Sequence, residues 1–378
     1  MEKQYLFTPG PTMVPPEVLS ELAKPIVHHR APEFIPIFES VCKDLKYLFQ
    51  TEQEVLTLNT TGTGAMEAAV VNLLSEGDKV IVIVGGKFGE RWAEICKAYK
   101  VNVIEISVEW GNDLPPAELA KALNENSDVK AVFTTLCETS TGVLFDVKGF
   151  AELTRDKEVA LVVDAVSGLG ADVLKMDEWG IDVVVTSSQK ALMCPPGLAF
   201  IALSEKAWKL VEKSNLPKYY LDLKKYKKSQ TKFQTPYTAG VTLLMGLKKA
   251  LEMIKAEGIE NVWKRHAKLA KAIREAVIAI GLEPFSKAPS NTVVSIKAPE
   301  GISAGDIKKL IRDKYGITIA GGQAQLKGKI FRIATLGYAT DTDVMMVISA
   351  LELVLEKLGY KFEKGKAIST ALNILGGE

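Results

Sequence analysis

Several broad classes of protein are excluded by what this sequence has little of. There are four cysteines in 378 residues, Cys42, Cys96, Cys137 and Cys194. They have neither the paired spacing of a zinc site nor the density of a disulfide scaffold, so no metal is expected and a reducing cytoplasm fits. Net charge is nearly absent: 47 Lys and Arg stand against 46 Asp and Glu, a formal +1. Such a chain has no global field to draw in nucleic acid, and partners must be recognised locally. No apolar run approaches a membrane span, and the opening MEKQYLFTPGPT places proline and glycine where a secretory signal needs unbroken apolar residues. A soluble, unexported protein is expected.

Hydrophobic residues make up 47% and charged residues 25%, the balance of a globular enzyme and not of a disordered chain. The length suits one large and one smaller domain. The basic stretch LKKYKK (223 to 228) has Tyr226 as its one aromatic and reads as a solvated face or loop.

Read for period, short apolar runs alternate with longer amphipathic segments. VLTLNTTGTG leads into AMEAAVVNLLSEG, and KVIVIVGG into FGERWAEICKAY; VKAVFTTLCETSTG and VALVVDAVSGLG continue the pattern. Strands apolar on consecutive residues, separated by helices, predict a mostly parallel sheet covered on both faces, with chemistry at the strands' C-terminal ends. From about residue 242 the pattern changes to long helical segments. A compact α+β unit follows, with strands in NTVVSIKAP and KIFRIATLG and a capped helix in SAGDIKKLIRDKYG.

Two residues stand at that C-terminal edge: Asp164, closing LVVDA, and Lys190, just after VVVTSSQ. Taken singly, such an aspartate can cap a helix and such a lysine can be solvated. The apolar LMCPPG that follows Lys190 implies partial burial instead, which disfavours the ammonium and frees the amine as a nucleophile toward an aldehyde. A carboxylate such as Asp164 is what a pyridine cofactor needs beside its ring nitrogen. In NTTGTGAMEA, the helix N-terminus with Thr61 and Thr63 can receive a phosphate, or can be an ordinary glycine turn with a threonine cap. Neither a Walker lysine nor GxGxxG spacing is present.

Taken in order, TPGPT, TTGTGAMEAA, ETSTGV, LVVDAVSGLG, SSQKAL and PPGLAF resemble the class V, fold-type I aminotransferases that depend on pyridoxal phosphate, alanine-glyoxylate and serine-pyruvate aminotransferases in particular. The resemblance covers nearly the whole chain. It implies an N-terminal arm (1 to 15), a large domain (16 to 255) on a mostly parallel seven-stranded sheet, and a small α+β domain (256 to 378). It also implies a Schiff base on Lys190, Asp164 at the pyridine nitrogen, and Thr61, Gly62, Thr63 and Gln189 around the phosphate. Phe88 matches the aromatic that stacks on the ring, and Ser140 a residue near the ring hydroxyl. Thr238 matches a threonine that reaches the partner subunit's phosphate, so the expected unit is a homodimer. Thr235 stands where a phosphate-binding tyrosine is often found, and no role is assigned to it. Arg332, among apolar neighbours in KIFRIATLG, matches the arginine that grips the substrate carboxylate.

The reaction implied is transfer of an amino group from alanine or serine to glyoxylate or pyruvate. Within the same fold, sulfur removal from cysteine needs a nucleophilic cysteine on a mobile loop, and no cysteine follows Cys194. An aminoethylphosphonate transaminase is a further relative, and a non-enzymatic role as an accessory subunit of a redox complex is a reading from another class.

Overall fold

The computed structural model describes residues 4–377. Its centre is made of strands in which every residue is buried: Ala131–Thr135, Ala160–Asp164, Val183–Ser187 and Ala199–Leu203. They belong to a seven-stranded sheet whose order is Val55–Leu58, Ala199–Leu203, Val183–Ser187, Ala160–Asp164, Ala131–Thr135, Lys79–Val84, Asn102–Ser107. Ala199–Leu203 runs antiparallel to both neighbours and all other pairs are parallel. The α/β architecture expected from the alternating pattern is therefore the one that forms. The reversed strand begins at the end of PPGLAF, after a short reversal from Val183–Ser187 with no room for a crossover helix.

Alternate strand residues serve opposite layers. Leu161, Val163 and Val184 pack with Phe34, Phe38, Leu45, Leu244 and Leu247. Val162, Val183 and Val185 pack with Met66, Ala69 and Trp92 on the other face. Burying each such Val, Leu or Phe contributes about 1.5–3 kcal/mol, so neither face can be left wet.

The chain leaves this layer at Gly258, between helices Val241–Glu257 and Ile259–Ala279. A second, four-stranded sheet has the order Tyr5–Phe7, Ile317–Gly321, Ile330–Ala334, Val293–Lys297. Helices Ile259–Ala279, Ala304–Tyr315 and Asp341–Lys357 share one apolar core with it through Leu269, Ile273, Ile311 and Leu351, and Lys366–Gly376 joins that core through Ala371 by packing on the first and third of these helices. Ser303 caps the second of these by accepting from the Gly305 amide, and Thr340 with Asp343 forms a capping box on the third. The N-terminal segment, expected as an arm, contributes its own edge strand here: Tyr5–Phe7 pairs in parallel with Ile317–Ile319. LKKYKK lies in a helix, Leu223–Gln230, that buries Leu223 and Tyr226. Among the described residues no helix is long and apolar enough to cross a membrane.

Six of the seven central strands point their C-terminal ends to one edge, and the helices that follow them start there. Helix Lys87–Ala98 starts so close to the sheet that a Cβ on Gly89 would lie 2.6 Å from the Ile83 carbonyl oxygen and 3.0 Å from Val84 Cα. Backbone cannot retreat as a side chain can. Gly89→Ala is expected to lower unfolding free energy by about 1–3 kcal/mol in a urea titration, through overpacking; an unchanged midpoint and slope would show that the helix can lift away.

Candidate active site

Lys190 lies three residues beyond the strand Val183–Ser187, in a turn closed by its own hydrogen bonds. The Ser188 amide donates to Leu198 (3.0 Å), Met193 to Lys190 (3.0 Å) and Cys194 to Ser188 (3.1 Å), while the Ser188 hydroxyl donates to Pro195 (2.6 Å). From outside, the TPGPT segment seals the turn. Thr12 donates through its hydroxyl to the Lys190 carbonyl (2.9 Å) and through its amide to Gln189 (3.2 Å). The Lys190 Nζ itself donates to the Pro9 carbonyl. Gly10, at φ +122°, leaves just enough room: a Cβ there would lie 2.5 Å from Nζ. Burial brings the Lys190 pKa down to about 8, with nearby Asp164 opposing the shift. At neutral to mildly alkaline pH a useful fraction is free amine.

Asp164 closes the adjacent strand, where its Oδ1 accepts from the Val166 amide (2.8 Å). Burial raises its pKa to about 6; buried Glu138 pushes the same way, while Arg91 and Lys190 oppose. Asp164 and Lys190 feel each other's charge but form no salt bridge among the described residues. The carboxylate therefore has room for a cation of another kind, such as a protonated pyridine nitrogen.

On the next side, Thr61 caps helix Gly62–Leu73, its hydroxyl accepting from the Gly64 amide. Gly62 packs against the sheet edge, its Cβ position 3.3 Å from the Ser187 hydroxyl. That hydroxyl and the Gln189 amide oxygen are buried without a hydrogen-bond partner. Unspent polar groups at a helix N-terminus fit an anion with several acceptor oxygens, the Gln189 amide turning to present its Nε2. These residues, with Lys190 and Asp164, fit the phosphate, aldehyde and ring nitrogen of pyridoxal phosphate. Thr63 stands at the rim and accepts from Arg91 (3.2 Å).

Phe88 occupies the first turn of helix Lys87–Ala98, half-buried, with the Arg91 guanidinium 4.8 Å from its ring centre. Ser140 faces the same helix start and accepts from the Lys87 amide (3.1 Å). Arg332 is buried in the second sheet and donates to the carbonyls of Gly321 (2.9 and 2.7 Å) and Thr139 (2.6 Å). Three of its five N–H groups are thus engaged and two are free. It makes no ion pair among the described residues, and burial lowers its pKa to about 10. Thr238 is exposed, its carbonyl accepting from Asn59 (2.5 Å), the residue just after the strand Val55–Leu58.

All ten residues singled out from sequence thus converge on one edge. The structure adds Glu138, Arg91, Ser187 and the Pro9 carbonyl. Each lies inside a segment already noted (ETSTGV, FGERWAEICKAY, SSQKAL, TPGPT), but nothing in their spacing separates them from neighbours.

A buried carboxylate with a raised pKa costs stability once it ionises. Well below pH 4 Asp164 is neutral in the folded and unfolded chain alike, and the cost is absent. It grows as pH rises from the unfolded value, about 3.9, and is fully present above the folded-state value near 6. Asp164→Asn is therefore expected to stabilise the cofactor-free protein at pH 8 by roughly 1–3 kcal/mol, with far less gain at pH 4, while weakening pyridoxal phosphate binding. Thermal melts at the two pH values check this; an equal effect at both would show that ionisation is not the cause.

Comparison with known proteins agrees with this geometry. A family model described as aminotransferase class-V matches residues 4–345. The chain is 44% identical to a protein named soluble hydrogenase, small subunit, of Synechococcus sp. (strain PCC 6716), over 99% of each chain. It is 34% identical to a serine–glyoxylate aminotransferase of Methylorubrum extorquens, over 99% of this chain and 96% of that one. The crystal structure of a ureidoglycine-glyoxylate aminotransferase from Bacillus subtilis superposes with a TM-score of 0.95 at 29% identity, covering 100% and 99% of the two chains. With a family model over most of its length, a matching fold and a site that fits pyridoxal phosphate, this chain belongs to the class-V aminotransferases, enzymes that depend on that cofactor.

Proposed function

We propose that the enzyme moves an amino group from a small amino acid, alanine or serine, to a small 2-oxo acid, glyoxylate or pyruvate. The observation that carries this reading is Arg332: a buried arginine with two unspent N–H groups and no acidic partner among the described residues, close enough to Lys190 to depress its pKa. An α-carboxylate completes it, as a bidentate pair does elsewhere. The two relatives named as aminotransferases share glyoxylate in their names, which supports that acceptor.

In this reading Lys190 anchors the cofactor and, once displaced by substrate, carries the proton between substrate and cofactor carbons. The cofactor, when bound, supplies an aldehyde and an electron-withdrawing ring. Asp164 holds the ring nitrogen in its charged form; Thr61, Gly62, Thr63 and Gln189 hold the phosphate; Phe88 covers one ring face; Ser140 faces the ring hydroxyl. Thr238, exposed on its own chain, serves the partner subunit's phosphate in a cytoplasmic homodimer. Sulfur removal from cysteine is disfavoured, since burial pushes the thiols of Cys96, Cys137 and Cys194 up to about 12 and buries Cys42 equally. The hydrogenase-subunit relative favours a second reading, an accessory role in a redox complex. A yellow purified protein supports the enzyme; one that pyridoxal phosphate cannot reconstitute supports the accessory role.

Lys190→Ala is expected to fold and to retain the cofactor non-covalently, but to lose transamination; near-normal turnover without added amine would remove Lys190 from its role. Arg332→Ala is expected to lower kcat/KM roughly ten- to a hundredfold for every amino acid donor, with Arg332→Lys recovering part. Amines lacking a carboxylate should lose far less. A donor panel including alanine, serine and aspartate against glyoxylate, pyruvate and 2-oxoglutarate measures both the loss and the preferred pair. Equal loss for amines with and without a carboxylate would reduce Arg332 to a brace between Gly321 and Thr139.

A further inference from the structure

Glu138 is a fully buried carboxylate, 0% exposed, for which the proposed chemistry has no use. It lies on the short hairpin Cys137–Glu138 and Val143–Leu144, just beyond the strand Ala131–Thr135. Its Oε2 accepts from the amides of Phe88 (3.0 Å) and Gly89 (2.9 Å). Its Oε1 accepts from the Ser140 amide (3.2 Å) and the Ser140 hydroxyl (2.5 Å). Burial holds its pKa above the ordinary range against these donors. Helix Lys87–Ala98 has no cap of its own, because Gly86 stands at the N-cap. The first free N–H groups of the helix go instead to Ser140 and Glu138, and Gly86 is what lets them approach: a Cβ there would lie 2.5 Å from Glu138 Cδ.

A carboxylate bound at both ends by charge-assisted hydrogen bonds is a spacer of fixed length. One end fixes the backbone of Phe88, the other fixes Ser140. We propose that Glu138 is a positioning residue that sets the slot between the Phe88 ring and the Ser140 hydroxyl, into which the flat cofactor ring slides. The proposal rests on the reading of Phe88 and Ser140 as ring contacts given above. The Arg91 guanidinium lies against the same Phe88 ring, so the ring is braced while Glu138 fixes the backbone that carries it. The hairpin is itself held from the other side, by Arg332 on the Thr139 carbonyl and by the Thr139 hydroxyl on Ser167 (2.7 Å). Glu138 thus stands on a rigid base.

The test is a double-mutant cycle on the dissociation constant of pyridoxal phosphate, titrated into cofactor-free protein, with thermal melting of the same samples. Glu138→Gln turns one acceptor into a donor facing N–H groups. It is expected to weaken cofactor binding by roughly tenfold or more, the size of a lost hydrogen bond to a charged group. In a Phe88→Ala background most of that loss should vanish, because there is no ring left to place. Glu138→Asp keeps the charge but shortens the reach by one methylene, and should weaken binding in the same Phe88-dependent way. It takes the place of Glu138→Gln in the cycle should that variant fail to fold. A lower melting temperature with unchanged cofactor affinity would overturn the proposal and leave Glu138 a helix cap. Equal losses in both backgrounds, where Phe88→Ala itself weakens binding, would overturn it while sparing the reading of Phe88. No effect of Phe88→Ala alone would overturn both.

Discussion

A lysine amine has been taken out of water without a carboxylate set against it, and much of the rest of the architecture follows from that. Desolvation of Lys190 is offset by a single backbone carbonyl, from Pro9, and by the more distant charge of Asp164. Full ion pairing would make the ammonium too stable to act as a nucleophile; no acceptor at all would be too costly. The seven-stranded sheet provides the rigid edge, the helices on its faces keep that edge dry, and the TPGPT segment closes it from outside. Two buried carboxylates near the lysine, Asp164 and Glu138, share the same low-dielectric region but differ in satisfaction. Glu138 has every oxygen occupied, whereas Asp164 has one amide and an open side. The unsatisfied one is the one left to meet a cation.

The layers of the molecule were legible in the sequence because runs such as VIVIV and LVVDA are buried on both faces and leave no ambiguity of period. Lys190 and Asp164 were legible as well, since strand ends in a parallel sheet point one way. What could not be read was anything depending on contact between distant segments. Glu138 belongs to a motif that was noted, yet its partners lie on a helix some way upstream, and no local pattern announces that a glutamate will cap a helix to which it is not attached. PPGLAF was visible as a motif but not as a strand running backwards. Tyr5–Phe7 gave no strand signal, being too short for alternation to show; its place is decided by pairing with Ile317–Ile319.

Arg332 illustrates a different limit. The resemblance offered a substrate carboxylate as its partner; what the structure adds is a guanidinium bridging carbonyls of both sheets' territories, Gly321 on its own side and Thr139 across the boundary. The same side chain that has N–H groups to spare for a ligand also ties the second sheet to the hairpin carrying Glu138 and Ser140. Asp172 forms a parallel tie, accepting from the Ser290 hydroxyl (2.5 Å) and the Asn291 amide (2.8 Å). Relative placement of the two units is therefore fixed by buried polar contacts with directional demands, which tolerate little sliding.

The strap over Lys190 has a consequence for how the molecule comes into being. Residues 5–7 are made long before residues 317–319, the sheet partner they need. Until then Pro9, Gly10 and Thr12 cannot take their places on the lysine turn. Loop closure over so long a separation makes this one of the slowest contacts to form. The cofactor pocket is thus completed by two segments made far apart in time, so a chain truncated before the second sheet would carry Lys190 without a closed site to put it in.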